Sequence, residues 1–289
     1  MLHEPIGALD RVVDPAPRGG WRLAPAACVA LTLAAACPPL CQTAAANTRA
    51  TADTRSATVA VTVAAAIADP SRPASDTTRD VERKPAQTLA FAGVRPGYKI
   101  GDYAAGAGYF TRLFAGVVGP AGHVYASVPS GLFQYPNIVK GIADIETYTV
   151  THPNVTVTFA SALDAATYPE KLDVFWISQN YHDLHDSFMG PVDMAAFNRT
   201  VYSALKPGGI YIVLDHVAAR GSPADVTDTL HRIEPSTVRR EVEAAGFKFE
   251  DESAILANPA DPHTAGVFNA SIQGRTDQFI LKFRRPRSS

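Results

Sequence analysis

Short apolar runs alternate with amphipathic stretches along most of the chain. The apolar runs are rich in β-branched and aromatic residues, which favours strands, and the stretches between them carry apolar residues at helical spacing. This alternation is typical of βαβ units around a mostly parallel sheet. The predicted strands are 98–104, 123–128, 155–159, 172–178, 210–214, 248–255 and 278–283. The predicted helices are 86–92, 109–118, 137–148, 192–205 and 235–245.

The size and composition of the chain favour one folded domain. It has 289 residues, of which 46% are hydrophobic, enough for the core of one sizeable domain. Residues 47–78 consist mainly of Ala, Thr, Ser, Asp, Arg and Pro with almost no aromatic residues. Because such a composition buries too little surface to order itself, this segment is predicted to be a disordered linker. The predicted domain spans 79–286.

The first 46 residues resemble a secretory signal. Three arginines precede an apolar run at 23–37, and small residues follow at 44–46. The apolar run is too short to span a bilayer comfortably. The five residues that end at Cys37 also resemble a loose lipobox, which makes a lipid anchor on Cys37 an alternative to simple cleavage near Ala46. A mis-assigned start with an Ala-rich leader is a third interpretation. The expected location is the periplasm.

Charge and cysteine content exclude several classes of function. The formal net charge of -2 and the pI near 6.4 provide no general attraction to nucleic acid or anionic lipid, so the expected partner is a small molecule. All three cysteines, Cys28, Cys37 and Cys41, precede the predicted domain. The domain is therefore expected to contain neither a disulfide nor a thiolate metal site.

A turn of small residues joins the first predicted strand to the next helix. It reads Asp102-Tyr103-Ala104-Ala105-Gly106-Ala107-Gly108. Small residues let a ligand approach the backbone, and the start of a helix offers unpaired N–H groups. The same turn is also compatible with tight packing alone. Its spacing differs from the G-x-G-x-x-G of nicotinamide enzymes.

This turn resembles the D/E-x-G-x-G-x-G first motif of class I S-adenosylmethionine-dependent methyltransferases, with Ala104 in place of the first glycine. The turn at 206–209 resembles the one that precedes the fifth strand in that family. From 79 to 286 the chain is also similar to a group of exported bacterial proteins predicted to be methyltransferases. The segments that carry this second similarity are 179–185 and 276–279.

The resemblance implies a Rossmann-like, doubly wound, mostly parallel seven-stranded sheet with helices on both faces. It also implies S-adenosylmethionine as the cofactor and methyl transfer to a small molecule as the activity. Ser127 stands near the end of the second strand, where the family usually has an acidic residue for the ribose, and Asp164 stands where the family contacts the adenine amino group. The residues that the resemblance assigns to the cofactor are Asp102, Ala104, Gly106, Gly108, Ser127 and Asp164.

A second group of candidate residues follows the fourth and fifth strands, where ligands bind in doubly wound sheets. His182 and His216 are the leading candidates for a general base, because imidazole titrates near neutrality. Asp183 or Asp215 is expected to orient the imidazole or the substrate. The candidate catalytic residues are Asn180, Tyr181, His182, Asp183, Asp215 and His216.

Structural roles compete with these functional ones. Tyr181 suits a wall of the site as well as a participant. His231 and Arg232 are interpreted as residues that organise a loop, and His263 as part of a lid. A ligand-binding protein without catalysis is an alternative function for the same fold.

Metal binding is a further rival interpretation. His182, Asp183, His185, Asp215 and His216 are adequate ligands for zinc or another divalent ion. Their spacing is not diagnostic, and the H-E-x-x-H of zinc peptidases is absent, so the leading interpretation includes no metal. The chain also lacks a G-x-S-x-G nucleophile turn and a P-loop, which argues against serine hydrolases and nucleoside triphosphatases.

Overall fold

The centre of the protein is a seven-stranded mixed sheet, seen in a computed structural model that describes residues 57–287. The strand order is β3-β2-β1-β4-β5-β7-β6. Strands β1 to β5 pair in parallel with one another, whereas β7 is antiparallel to both β5 and β6. The insertion of β7 distinguishes this sheet from the simple doubly wound order 3-2-1-4-5-6. The strands are β1 (Lys99–Tyr103), β2 (His123–Pro129), β3 (Val155–Ala160), β4 (Leu172–Ser178), β5 (Leu205–His216), β6 (Lys248–Ser253) and β7 (Gln278–Arg284).

Helices cover both faces of the sheet. Helix α1 runs through 57–67, and it packs on the same face as α4 and α5. Helices α7 and α9 pack on the opposite face. The helices after α1 are α2 (Ala74–Thr77), α3 (Asp80–Arg83), α4 (Pro85–Ala92), α5 (Tyr109–Val118), α6 (Pro136–Thr149), α7 (Met194–Ala204), α8 (Val226–Leu230) and α9 (Pro235–Ala244).

The central strand β4 shows how the sequence pattern produces two cores. Side chains alternate between the faces of a strand: Val174 and Trp176 belong to the apolar cluster with α5, while Phe175 and Ile177 belong to the cluster with α7. All four side chains are fully buried. Because both faces are covered, the strand reads as a nearly continuous apolar run, as expected for parallel sheets.

The seven strands predicted from the sequence are confirmed. The main difference concerns β5, which starts at Leu205 instead of residue 210. Leu205 pairs with Leu172 of β4, and the backbone of Gly208 and Gly209 exchanges hydrogen bonds with Arg285 at the end of β7. Because residues 205–209 pair with the chain on both sides, the segment 206–209 that was predicted to be a turn forms the beginning of β5 instead.

The predicted linker 47–78 is wrong for the part that the structure describes. Residues 57–67 are helical, and Val63 and Ala66 are buried against the main domain. A methyl group added to Gly116 of α5 would lie 2.8 Å from the Ala66 methyl, so the two helices approach closely through small residues. Composition failed as a guide because alanines bury little area each but permit this close packing. Residues 47–56 and the predicted signal 1–46 lie outside the described residues.

A buried ion pair fastens this N-terminal segment to the domain. Arg112 of α5 donates through Nε and Nη2 to both carboxylate oxygens of Asp76, at 2.7 and 2.9 Å, and Nη2 also donates to the Ala107 carbonyl at 2.6 Å. Only 5% of each charged side chain is exposed. A second pair joins Arg72 to Asp80, which also accepts from the Tyr109 hydroxyl at 2.7 Å. Within residues 57–287 no helix has both the length and the apolar character needed to cross a bilayer.

The Arg112–Asp76 pair should be essential for stability. Replacement Asp76→Ala leaves a guanidinium buried without its counter-charge, which costs about 3–5 kcal/mol when one partner of a buried pair is removed. Chemical denaturation followed by circular dichroism measures the change. Asp144→Ala is the control, because it breaks an exposed pair with Lys140 within α6 and is expected to cost less than about 0.5 kcal/mol. Equal losses in the two variants would contradict the assigned role of Asp76.

Candidate functional site

A cavity of about 770 Å³ opens at the carboxyl ends of β1, β4 and β5. The glycine loop after β1 forms one wall, and residues at and after the end of β4 form another. The N-terminal helices contribute Asp76, Arg79 and Arg83, which lie in a segment that sequence analysis had assigned to a linker or a boundary. Its volume lies within the ~300–1,000 Å³ typical of small-molecule sites.

The glycine loop adopts a left-handed backbone at three positions. The φ angles are +56° at Ala104, +56° at Gly106 and +80° at Gly108. At Gly108, which precedes α5, a Cβ atom would lie 2.6 Å from Ile145 Cγ1, so only glycine fits. Ala104 adopts a conformation that costs an alanine roughly 1–2 kcal/mol. This explains why glycine is the expected residue at that position of the motif.

Asp102 is a buried carboxylate at the base of the loop and lines the cavity. Its Oδ2 accepts a hydrogen bond of 2.6 Å from the Thr111 hydroxyl. Burial raises the pKa of Asp102 to about 7, although the Thr111 hydrogen bond and the charges of Arg83 and Arg112 partly oppose the shift. A cation placed beside Asp102 would favour the ionised form.

Arg83 is a functional candidate that sequence reasoning missed. Its guanidinium lies over the Tyr109 ring at 4.6 Å and donates to Gln179 Oε1 at 2.9 Å. Burial lowers the pKa of Arg83 to about 9, which leaves it charged at neutral pH. Within the described part of the chain, no carboxylate lies at ion-pair distance from it. No motif marks Arg83 in the sequence, because its position depends on how the N-terminal helices fold over the loop.

Three of the predicted cofactor residues, Gly108, Ser127 and Asp164, do not line the cavity. Ser127 is fully buried, and its hydroxyl lies 3.2 Å from that of Tyr168. Asp164 is exposed, and it accepts a hydrogen bond of 2.8 Å from Ser161 within its own turn. The position of neither side chain therefore supports the assignment of Ser127 or Asp164 to the cofactor. Beyond the end of β2, the groups that do line the cavity include Leu132, Asn137 and Ile138.

His182 is held between two carboxylates. Its Nδ1 lies 2.8 Å from Asp215 Oδ1, and its Nε2 lies 3.1 Å from Asp183 Oδ1. Burial alone would lower the pKa of His182, but the charges of Asp215 and Asp183 raise it to about 10. The charge of His182 in turn lowers the pKa of Asp183 to about 2, against the effect of burial. His182 and Asp183 both line the cavity, whereas Asp215 lies behind them.

His216 also lines the cavity but has the opposite electrostatic environment. Burial lowers its pKa to about 3, and its Nδ1 lies 2.7 Å from the Thr276 hydroxyl. Neither His182 nor His216 therefore has the near-neutral pKa for which sequence analysis selected it as a base.

His231 is brought to the site although the sequence suggested only a loop role. Its backbone is left-handed, with φ of +54°, and its ring packs edge-on against His182 with centroids 5.5 Å apart. Its Nδ1 lies 3.8 Å from Asp183 Oδ1. After α8 the chain returns to the end of β5, where Val217 pairs with Ile233. This pairing places residue 231 beside the site.

The other predicted residues are distributed around the site. Asn180 lines the cavity, and its amide donates to the Ser178 carbonyl at 3.1 Å. Tyr181 is fully buried and does not line the cavity; its hydroxyl donates to Glu241 at 2.9 Å, which corrects its proposed catalytic role. His185 also contacts Glu241, at 3.1 Å. Arg232 pairs with Asp261 and donates to the carbonyls of Ala265 and Val217. These contacts agree with the predicted role of Arg232 in organising a loop.

Comparison with solved structures identifies the fold. No protein-family model matches the chain, and no curated protein matches it. One similar structure is a chain from the complex of the Haloferax volcanii Trm112 methyltransferase activator with a protein assigned to the methyltransferases. It is 16% identical, and the TM-score is 0.52 over 75% of this chain and 95% of that one. The [4+2]-cyclase SpnF is 18% identical, with a TM-score of 0.50 over 74% of this chain and 82% of that one. The predicted α/β methyltransferase-like fold is thus confirmed. At such identities the similarity establishes the fold alone.

The burial of Asp102 should make stability depend on pH. Its folded pKa of about 7 exceeds the ordinary value of 3.8, so ionisation is disfavoured in the folded state and stability falls as pH rises from about 4 to 7. Asp102→Asn removes this dependence while its side-chain oxygen can still accept from Thr111. We expect the variant to gain roughly 4 kcal/mol relative to the parent over that range, because each pKa unit corresponds to ~1.4 kcal/mol.

Denaturation curves at several pH values measure this difference. Asp164→Asn removes one exposed carboxylate and controls for the change in net charge. Parallel stability profiles for the parent and Asp102→Asn would show that the buried carboxylate does not carry the predicted penalty.

Proposed function

We propose that this protein is an S-adenosylmethionine-dependent methyltransferase that acts on a small molecule. The observation that carries the proposal is that Asp102, the glycine loop and Arg83 line one cavity at the end of β1. The Asp102 carboxylate and the Arg83 guanidinium, which has no ion-pair partner among the described residues, thus lie beside a loop whose backbone requires small residues. This arrangement suits a ligand that carries both an amine and a carboxylate.

The methionine portion of the cofactor has these two groups. Asp102 would accept from its ammonium, and the resulting pair would offset the burial that raises the pKa of Asp102. Arg83 and the unpaired N–H groups at the start of α5 would bind its carboxylate. When bound, the cofactor supplies an electrophilic methyl group; the protein's contribution is to hold the acceptor in line with it and to exclude water.

The rest of the cavity supports a partly apolar ligand. Leu132 and Ile138 provide apolar surface near Asn137, whose amide suits a hydroxylated sugar. Phe188 and Phe268 line the cavity with the His/Asp residues. Because neither His182 nor His216 has a pKa near neutrality, we infer that positioning contributes more to catalysis than proton removal by a histidine.

A ligand-binding protein without methyl transfer is the second candidate. The observation that favours it is the end of β2, where Ser127 is buried against Tyr168 and the cavity-lining residues that follow the strand, Leu132, Tyr135, Asn137 and Ile138, include no carboxylate for a ribose. This candidate and the first differ in whether the cofactor binds at all. The same fold in a cyclase shows that the scaffold does not require methyl transfer.

Cofactor binding can be tested by isothermal titration with S-adenosylmethionine and S-adenosylhomocysteine. We expect a Kd between about 1 µM and 1 mM, the usual range for enzyme ligands. Gly106→Asp should weaken binding at least ~100-fold, because it adds bulk and negative charge where a Cβ meets only the Ala104 carbonyl, at 4.0 Å. Absence of binding to the unaltered protein at millimolar ligand would overturn the proposal.

The matched control is Gly221→Asp. Gly221 also has a left-handed backbone, with φ of +78°, but it is exposed and a Cβ there meets nothing within 4 Å. The same change of charge and the same type of backbone strain are thus introduced away from the cavity. Cofactor affinity should remain at the parental value. Equal weakening in both variants would indicate a general effect on folding.

We further propose that the protein is exported to the periplasm. The support is the sequence pattern of residues 1–46, which lie outside the described residues. Mass spectrometry of the protein from a bacterial periplasmic fraction should find a mature N-terminus near residue 47, or a lipidated Cys37. Recovery of the uncleaved chain in the cytoplasm alone would contradict export.

A further inference from the structure

Three side chains with metal-ligating atoms converge on one wall of the cavity. The ligand atoms of His182, Asp183 and His231 all lie within 4.8 Å of one another. Asp183 Oδ1 is central, at 3.1 Å from His182 Nε2 and 3.8 Å from His231 Nδ1. Two imidazoles and one carboxylate form a common ligand set for zinc and for non-haem iron. We propose that His182, Asp183 and His231 form a binding site for a divalent transition-metal ion.

The contacts behind His182 orient it as a ligand. Asp215 is fully buried and accepts from the backbone N–H of His182 at 2.9 Å and from that of His216 at 2.8 Å. Its Oδ1 lies 2.8 Å from His182 Nδ1. Since a carboxylate can only accept here, Nδ1 carries the proton and Nε2 is directed to Asp183. A carboxylate that fixes the far nitrogen of a ligating histidine is a recurrent feature of metal sites.

The charges around the site favour a cation. Asp183, Asp186 and Asp215 are all buried, and within residues 57–287 none of them pairs with a lysine or an arginine. Asp186 is 3% exposed, and neither of its carboxylate oxygens has a hydrogen-bond partner among the described residues. An unpaired buried carboxylate is costly, and a divalent ion beside it would reduce that cost.

A metal-free arrangement accounts for only part of this cluster. A protonated His182 between Asp183 and Asp215 satisfies two carboxylates with one positive charge. It leaves the buried carboxylate of Asp186 without a compensating charge. A divalent ion accounts for the convergence of both histidines on one carboxylate oxygen.

The location of the site indicates the chemical class of its further ligand. All three residues line the same cavity as the glycine loop. Three protein ligands leave coordination positions open toward that cavity, which water or an oxygen atom of a substrate would occupy. A bound hydroxyl or phenol would have a lowered pKa. The inferred substrate class is therefore an oxygen nucleophile such as an alcohol, a phenol or a hydroxy acid.

Metal binding can be measured on the full chain after dialysis against a chelator. Cobalt(II) is a suitable probe because its visible absorption reports coordination, and zinc should displace it. We expect one equivalent of cobalt to bind with a micromolar or tighter Kd. His231→Ala and Asp183→Asn should each weaken binding at least ~100-fold. Asp215→Asn, which removes the charge behind His182 and weakens the contact that orients its ring, should weaken it ~10–100-fold.

His185→Ala is the matched control. His185 belongs to the same turn as His182, but it contacts Glu241 and does not line the cavity, so cobalt affinity and spectrum should be retained. His231 is only partly buried, and its replacement is expected to leave the fold intact, which circular dichroism checks.

Absence of cobalt and zinc binding to the parent at millimolar concentration would overturn the metal site, as would unchanged affinity in His231→Ala and Asp183→Asn. The titration contains no S-adenosylmethionine. Its result is therefore independent of the proposed methyltransferase activity.

Discussion

The guanidinium of Arg112 connects the parts of the structure on which the cavity depends. It is buried, so its donors must be satisfied within the protein. Asp76 of the N-terminal segment accepts two of its hydrogen bonds, and the Ala107 carbonyl of the glycine loop accepts another. A methyl group on Gly108 would lie 3.0 Å from Arg112 Nη1. Arg112 therefore links the conformation of the loop to the position of the N-terminal segment, which the Arg72–Asp80 pair and the packing of α1 also hold.

This arrangement determines which charges face the cavity. Asp76 and Asp80 are paired with Arg112 and Arg72, respectively. Arg79 and Arg83 come from the same segment and line the cavity. The end of the cavity near the N-terminal helices is consequently cationic, whereas the wall after β4 carries Asp183 with buried Asp186 and Asp215 behind it. Such separation of charge within one cavity favours ligands with groups of both signs.

The sequence predicts those features that depend on local pattern. Apolar runs located the central strands because burial on both faces makes them nearly continuous, whereas the edge strands β3 and β6 are largely exposed. Directions of side chains in the turn after β4 could not be predicted: Tyr181 and His182 are adjacent, but one contacts Glu241 away from the cavity and the other lines it. Arg83 was missed because tertiary packing alone brings it to the site, and His231 was given chiefly a role in organising a loop. Residues 57–78 were misjudged because helix packing through small residues leaves no compositional signal.

The electrostatics of the two histidines connect the proposed activity with the proposed metal site. Methyl transfer to a hydroxyl group requires removal of a proton, yet His182 is held between Asp183 and Asp215 and His216 is a weak base with a pKa of about 3. A divalent ion at His182, Asp183 and His231 would instead lower the pKa of the acceptor oxygen itself. The acceptor could then react as an anion near neutral pH without a histidine base. A metal at this wall therefore removes the main chemical difficulty that the histidine environments create for an oxygen acceptor, whereas an acceptor that is already a good nucleophile would not need one.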